Sequence, residues 1–157
     1  MTGNTIYGSI SEELAADLSE DEGFVPTAYQ DSLGYWTIGS GILIDSRVPG
    51  AGITREEDAM LKSNRVKKLI QELHSAYPKF VTLDRARQLV LANMAYNLGV
   101  PRLMGFKKTL AAVSRGDYLE ASKEMLDSRW ARQVKGRAVR LAEQMRTGKT
   151  RREIQFE

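Results

Sequence analysis

The chain has 157 residues, a length typical of one domain and sufficient to bury a hydrophobic core without covalent cross-links. It has no cysteine and one histidine, His74, which excludes disulfides, thiol nucleophiles and multi-histidine or cysteine metal sites. We therefore expect no metal and no cofactor. The net charge of +3 is uneven, because residues 129–157 contain nine Lys/Arg and three Asp/Glu and so carry +6.

The basic segment 129–157 indicates either an anionic partner or a solvated helical face. Nucleic acid, lipid headgroups and an acidic wall polymer are all compatible with its charge. At the other end, the chain lacks the basic and then apolar stretches of a signal peptide, and no run of about 18 apolar residues occurs. We therefore expect a protein made in the cytoplasm without a signal peptide.

The first predicted elements are a short helix and a small sheet. Ser11 is a suitable N-cap for a helix over residues 12–23, and Pro26 prevents its continuation. Residues 29–44 are rich in β-branched and aromatic residues with interspersed glycines, which predicts a small antiparallel sheet. Its DSLG segment has the signature of a type I turn, and residues 45–52 read as a loop.

Helical patterns begin again at Thr54 and continue through the rest of the chain. TREE is a capping box in which Thr54 is the cap and Glu57 the third helical residue. An apolar stripe then predicts a long helix that stops before Pro78. Asp84 is the predicted cap of the next helix, which is apolar nearly all round and is therefore predicted to be buried.

These elements predict a mostly helical α+β fold that forms a single domain over residues 1–157. The expected organisation is an N-terminal lobe at about 11–53, a connecting helix at about 54–76 and a helical C-terminal lobe at about 77–150.

The segment EGFVPTAYQDSLGYWTIG contains two carboxylates, Glu22 and Asp31, and the hydroxyl of Thr37. Hydrolysis of a glycosidic bond needs a proton donor for the leaving oxygen and a base or nucleophile at the anomeric carbon. Partial burial of Glu22 beside Phe24 would favour its protonated form, whereas Asp31 lies in a polar turn that suits the charged partner. Thr37, on a strand, could bind a water beside Asp31. Glutamates at helix ends and aspartates in turns are also common without catalysis, so spacing alone leaves both interpretations open.

EGFVPTAYQDSLGYWTIGSG resembles the active-site segment of the phage-type lysozymes, the endolysin and muramidase family of the T-even phages. The family pattern there is Glu-Gly, then Tyr-x-Asp-x-x-Gly, then Thr-Ile-Gly-x-Gly. Three later segments resemble the family in the same order. They are ITREEDAMLKSN (53–64), NMAYNLGVPRLMGFKKTL (93–110) and SRWARQVKGRAVRLAEQMRTG (128–148). The resemblance covers roughly residues 12–148.

The resemblance implies a lysozyme-like two-lobe fold and a glycoside hydrolase. Its reaction would be hydrolysis of the β-1,4 bond between N-acetylmuramic acid and N-acetylglucosamine in bacterial peptidoglycan. By the same resemblance, Glu22 is the general acid, Asp31 is the general base or the stabiliser of the transition state, and Thr37 positions the water. Inversion at the anomeric carbon is expected, with the two carboxyl groups ~6.5–9.5 Å apart.

The resemblance places substrate contacts at Leu43, Tyr96, Thr109 and Glu124. Each has a structural alternative or a departure: Leu43 as a sheet residue, Tyr96 as core, Thr109 as a helix cap, and Glu124 in place of the family's asparagine. Ile42 stands where the family commonly has histidine. That histidine would supply a polar link across the lower lobe, and we expect a hydrophobic contact of Ile42 to replace it.

Three further residues of the resembling segments are interpreted as structural or undecided. Trp130, with its neighbour Arg129, is predicted to close the helical lobe. Asn97 either reaches the substrate site or caps the end of its helix.

The expected partner is peptidoglycan, with host-cell lysis as the outcome. Because no signal peptide is found, release to the periplasm is expected to depend on a holin. The basic C-terminal segment is expected to contact the anionic cell envelope, with Arg137, Arg140 and Arg146 as candidates. We expect no nucleic acid partner and a monomer. The alternatives are a lytic transglycosylase, which needs an acid but no base, and a non-catalytic wall-binding module.

Overall fold

The structure is a computed structural model that describes the backbone of residues 3–156 and the side chains of residues 10–156. In this part of the chain, helices predominate and one small antiparallel sheet is present, which confirms the predicted α+β class. The chain forms two compact units, of which the first ends at Met60 and the second begins at Leu61.

The first unit consists of one helix and a three-stranded sheet. The elements are α1 (Gly3–Glu22), β1 (Val25–Gln30), β2 (Trp36–Gly39) and β3 (Ile42–Leu43). The strands pair antiparallel in the order β1-β2-β3, so β2 is central. Thr37 lies opposite Tyr29 on one side and Leu43 on the other, so the sheet fixes its backbone on both edges.

The predicted start of the first helix at Ser11 is wrong, because α1 begins at Gly3 and places Ser11 in its interior. Serine favours an N-cap but costs little inside a helix, and no proline interrupts residues 3–22. The helix does end where predicted. Gly23 adopts a φ of 67° and donates its N–H to the carbonyl of Ser19 at 3.1 Å.

The DSLG turn joins β1 to β2 as predicted, and the N–H of Gly34 donates to the carbonyl of Asp31 at 2.9 Å. The predicted capping box is also present. Glu57 donates its N–H to Thr54 Oγ1 at 3.1 Å, and Thr54 donates its N–H to Glu57 Oε2 at 2.6 Å. Both motifs form through contacts within four residues, which is why the sequence identifies them.

Helices form the rest of the described chain. They are α2 (Arg55–Ala76), a short 3-10 helix (Pro78–Thr82), α3 (Arg85–Leu98), α4 (Val100–Met104), α5 (Lys107–Ser114), α6 (Tyr118–Leu126), α7 (Arg129–Val134), α8 (Gly136–Thr147) and α9 (Arg151–Gln155). Among the helices of the described residues, none is long and apolar enough to cross a membrane.

Helix α3 supplies the centre of the core of the second unit. Its residues Val90, Leu91 and Met94 are fully buried. The expectation that it is buried all round is only partly right, because Leu89 and Tyr96 are about half exposed at 46% and 51%. The remaining core residues come from the surrounding helices and include Leu73, Leu103, Val113, Met125 and Met145.

Asp84 lies at the predicted N-cap position of α3, but its carboxylate does not bond to the helix backbone. It pairs with Arg87 instead, at 3.2 Å from Nη1.

Candidate active site

Glu22 is the last residue of α1 and its side chain is exposed. The burial expected beside Phe24 is absent, because Phe24 is itself 75% exposed. The Glu22 carboxyl group packs on Gly41, in the turn between β2 and β3. A Cβ atom built on Gly41 would lie 2.9 Å from Glu22 Cδ and 3.1 Å from Oε2. The Glu22 carboxyl group can therefore lie at this position only because residue 41 has no side chain.

Asp31 is half-buried at the start of the DSLG turn. Its Oδ1 accepts the N–H groups of Leu33 and Tyr35, both at 2.9 Å, which fixes the orientation of the carboxylate. Its Oδ2 has no hydrogen bond to any residue that the structure describes. One oxygen is therefore fixed by the turn while the other is available to an outside donor.

Thr37 is 3% exposed, and its Oγ1 donates to the carbonyl of Tyr35 at 3.2 Å. The same carbonyl accepts the N–H of Asp31 at 2.9 Å, while the N–H of Tyr35 donates to the Asp31 carboxylate. The backbone of Tyr35 thus ties the two side chains to each other. The Thr37 hydroxyl has one proton, and that proton is used in the hydrogen bond to the Tyr35 carbonyl. The hydroxyl can therefore only accept a hydrogen bond from a further partner.

Asp45 and Arg47 form an ion pair next to this turn, and the sequence analysis did not identify them. Asp45 is 3% exposed, and Arg47 binds both its oxygens, with Nε at 2.8 Å from Oδ1 and Nη2 at 2.6 Å from Oδ2. The N–H of Trp36 also donates to Oδ2, at 2.9 Å. The Arg47 hydrogen bonds, followed by that from Trp36, hold the pKa of the Asp45 carboxyl far below its usual range. The signal in the sequence was an acidic and a basic residue two positions apart, of which the first comes two residues after the end of strand β3.

Leu43 and Ile42 form strand β3 beside the candidate catalytic residues. Leu43 is half-buried and its Cα lies opposite that of Thr37. Ile42 is 49% exposed, and its Cδ1 would be 3.6 Å from a Cβ atom on Gly39. Half of the Ile42 side chain is therefore exposed, and its replacement of the family's polar link stays a prediction.

The other predicted substrate contacts lie in the second unit, where a cavity of about 510 Å³ is lined by residues of α3 to α7 and the segments between them. Thr109, buried at the start of α5, and Glu124, half-buried on α6, both line it. Tyr96 does not, although its exposure excludes the alternative that it is a core residue. The cavity lining includes Arg129 and Lys108, so Glu124 lies in a basic setting.

Trp130 is 3% exposed and forms one wall of this cavity. Its Nε1 donates to Asn97 Oδ1 at 2.8 Å, and its ring makes an edge contact with Phe106 at a centroid distance of 6.3 Å. The hydrogen bond accounts for Asn97, whose side chain links α3 to α7. This supports the structural interpretation of Trp130.

In the part of the chain with described side chains, no three His, Asp or Glu residues gather into a group that could bind a metal ion.

Comparison with known proteins identifies the family of this chain. The phage lysozyme family model matches residues 19–153. The pre-baseplate central spike protein Gp5 of Enterobacteria phage T4 is 32% identical over 160 residues, which cover 86% of this chain and 28% of the spike protein. Probable T4-type lysozyme 1 of Dictyostelium discoideum is 27% identical over 156 residues, covering 83% of this chain and 92% of that protein.

The chain belongs to the phage lysozyme family. This confirms the resemblance seen in the sequence, and it supports a lysozyme-like, glycan-cleaving function.

Proposed function

We propose that the protein is an endolysin that hydrolyses the β-1,4 bond between N-acetylmuramic acid and N-acetylglucosamine in bacterial peptidoglycan. Glu22 is the general acid that protonates the leaving oxygen. Asp31 is the general base or stabilises the positive charge that develops at the anomeric carbon, and Thr37 positions the attacking water.

The observation that carries the proposal is the link between Asp31 and Thr37 through the backbone of Tyr35. It leaves two acceptors for one water molecule, the free Oδ2 of Asp31 and a lone pair of Thr37 Oγ1. A water that donates both its protons in this way keeps its own lone pairs free for attack. Transfer of one proton to Asp31 during the attack is the step expected of an inverting glycosidase.

The position of Glu22 suits the opposite role. It forms no ion pair with a described residue, and Gly41 provides the space for its carboxyl group. The proposal assigns inversion of the anomeric carbon, with a carboxyl separation of ~6.5–9.5 Å when substrate is bound.

The test is digestion of purified peptidoglycan with mass spectrometry of the fragments. Wild type is expected to release new reducing muramic acid ends, and Glu22→Gln is expected to lower the rate by at least about 100-fold. Glu20→Gln, two residues away on the same exposed helix, is the matched control and should retain full activity. Asp31→Asn should also lose activity, because hydrolysis needs the base.

The same digestion distinguishes the alternatives. Anhydro-muramic acid ends, with activity retained in Asp31→Asn, would replace hydrolysis with lytic transglycosylation. Absence of cleavage by a folded wild type would overturn the enzymatic proposal and leave a wall-binding module.

We further propose that Leu43, Tyr96, Thr109 and Glu124 contact the glycan or its peptide. Glu124→Gln should raise KM without changing kcat, because a contact made equally in ground and transition states affects binding alone. Glu120→Gln, one turn earlier on α6, is the control. An unchanged KM in Glu124→Gln would remove Glu124 from the binding site.

Host lysis, entry into the periplasm through a holin and action as a monomer complete the proposal. The three arginines proposed to contact the anionic envelope differ in the partners that they already have. Arg137 bonds to Asn93 Oδ1 at 2.9 and 2.6 Å, and Arg146 pairs with Glu143 at 2.6 Å. Arg140 is exposed and has no ion pair with a described residue, so it is the arginine most available to an anion.

Arg140→Glu should therefore reduce lysis of outer-membrane-permeabilised cells at low salt, and the difference should disappear at high salt. Arg115→Glu, an exposed arginine on the same unit, is the control. Equal loss in both variants would indicate a net-charge effect, and no loss in either would refute the envelope contact.

A further inference from the structure

Asp45 and Arg47 together contact three consecutive residues between the candidate base and the candidate water-binding threonine. Arg47 Nη2 donates to the carbonyl of Gly34 at 2.8 Å, and its guanidinium lies over the ring of Tyr35 at 5.2 Å from the centroid. Asp45 Oδ2 accepts the N–H of Trp36 at 2.9 Å. Segment 34–36 is therefore fixed through a carbonyl, a ring and an N–H group.

That segment is the part of the backbone on which the site geometry depends. Tyr35 donates to the Asp31 carboxylate and accepts from both the Asp31 N–H and the Thr37 hydroxyl. A shift of Tyr35 would move the Asp31 carboxylate and the Thr37 hydroxyl relative to each other. Whatever fixes segment 34–36 thereby fixes the two acceptors of the attacking water.

The pair is built to act as one unit. The buried carboxylate of Asp45 receives four hydrogen bonds, from Nε, Nη2 and the N–H of Arg47 and from the N–H of Trp36. A buried charge with a bidentate arginine partner is strongly oriented, and it becomes costly when that partner is removed. The guanidinium of Arg47 is charged at any working pH, and the hydrogen bond to Asp45 raises its pKa further, with smaller contributions from Tyr35 and Asp31.

We propose that the Asp45–Arg47 pair is a positioning clamp that holds segment 34–36, and through it aligns Asp31 and Thr37 for catalysis. The proposal rests on the hydrolytic function proposed above and adds two positioning residues that touch neither substrate nor water.

Three variants and one control test the clamp by kinetics on soluble peptidoglycan fragments. Arg47→Ala is expected to lower kcat about ten-fold with KM changed less than about two-fold, because a misaligned base impairs the chemical step and not binding. Arg47→Lys should recover only part of the loss, since an ammonium cannot bridge the Asp45 carboxylate and the Gly34 carbonyl as a planar fork does.

The double variant Asp45→Asn/Arg47→Ala removes the buried charge together with its partner, so it is expected to fold even if Arg47→Ala does not. Its kcat should equal that of Arg47→Ala, because the two residues act as one unit. The matched control is Arg115→Ala, which breaks a pair of residues with the same spacing in which both side chains are exposed, Arg115 Nη2 to Asp117 at 3.7 Å. It should leave kcat unchanged.

Amide hydrogen exchange supplies a readout that does not depend on turnover. The N–H groups of Tyr35 and Trp36 should exchange faster in Arg47→Ala and at the wild-type rate in Arg115→Ala. A fall in kcat without faster exchange at these two sites would overturn the clamp, because Arg47 would then act directly on the substrate. Full recovery by Arg47→Lys would overturn it as well.

Failure of the clamp is distinguishable from failure of the function. If wild type cleaves and Arg47→Ala keeps its kcat, the clamp is wrong and the hydrolase stands. If wild type does not cleave at all, both are wrong.

Discussion

Gly41 gives the sharpest test of where the proposed acid lies. Its φ is 75°, so alanine there adopts a left-handed conformation at a cost of about 1–2 kcal/mol. Gly50 has a φ of 81°, and alanine there pays the same backbone cost. The two positions differ in their surroundings. A Cβ on Gly50 meets nothing within 4 Å, whereas a Cβ on Gly41 comes within 2.9 Å of Glu22 Cδ.

Ordinary contact begins at about 3.4 Å, so the Glu22 carboxyl must retreat by roughly half an ångström or change rotamer in Gly41→Ala. The end of a flexible side chain moves at little energetic cost, and the two variants should therefore lose similar stability. Activity should differ, because a displacement of about 1 Å at a reacting group can lower the rate by about 100-fold. We expect kcat of Gly41→Ala to lie about 10- to 100-fold below that of Gly50→Ala.

The assay pairs initial rates on peptidoglycan with urea unfolding of both variants, at a temperature where both are folded. Equal rates at equal stability would show that the contact between Gly41 and Glu22 does not position the acid. A double-variant control makes this specific: when Glu22 is already Gln, Gly41→Ala should cause no additional loss of rate.

Three further predictions concern stability. The pKa of Asp45 is lowered in the folded state, so this carboxylate stabilises the fold above its ordinary pKa of 3.8, and the contribution is lost as the pH falls below that value. In Asp45→Asn the urea midpoint should therefore fall less between neutral and acid pH than it does in the wild type. An equal fall in both proteins would contradict the reasoning. Trp130→Phe removes the hydrogen bond to Asn97 and should cost about 1 kcal/mol in urea unfolding, whereas no loss would mean that this bond adds nothing. Leu91→Ala should cost about 2–5 kcal/mol, and Leu89→Ala, half exposed on the same helix, much less; equal losses would refute the burial assigned to Leu91.

The sequence predicts those parts of the fold that arise from contacts between near neighbours. The DSLG turn and the Thr54–Glu57 capping box each close within four residues, and both are present. Ser11 shows the limit of such signals. A good cap residue does not start a helix when the residues before it can also be helical, and α1 continues back to Gly3.

The sequence predicted which residues form the candidate site better than it predicted how those residues pack. Burial of Glu22 was inferred from an apolar neighbour, but Phe24 is exposed, and the contact that positions the carboxyl group comes from Gly41, 19 positions away. Asp45 is buried because Arg47 and the backbone of Trp36 satisfy it. No periodic pattern marks such a contact, since it depends on how the strands pair.

The two halves of the proposed site are therefore specified in different ways. The side-chain hydrogen bonds that orient Asp31 and Thr37, including those of Asp45 and Arg47, lie within residues 31–47. When geometry is built within so short a segment, spacing in the sequence encodes it almost directly, which explains why the motif could be recognised without a structure. Glu22 differs because its position depends on the end of α1 and on the glycine at 41. We therefore expect substitutions of Asp45 or Arg47, which hold segment 34–36, to impair the base and its water together, and changes at Gly41 to impair the acid alone. The two halves would be coupled if both groups of variants showed the same kinetic defect and if combining them changed kcat by less or more than the sum of the single effects.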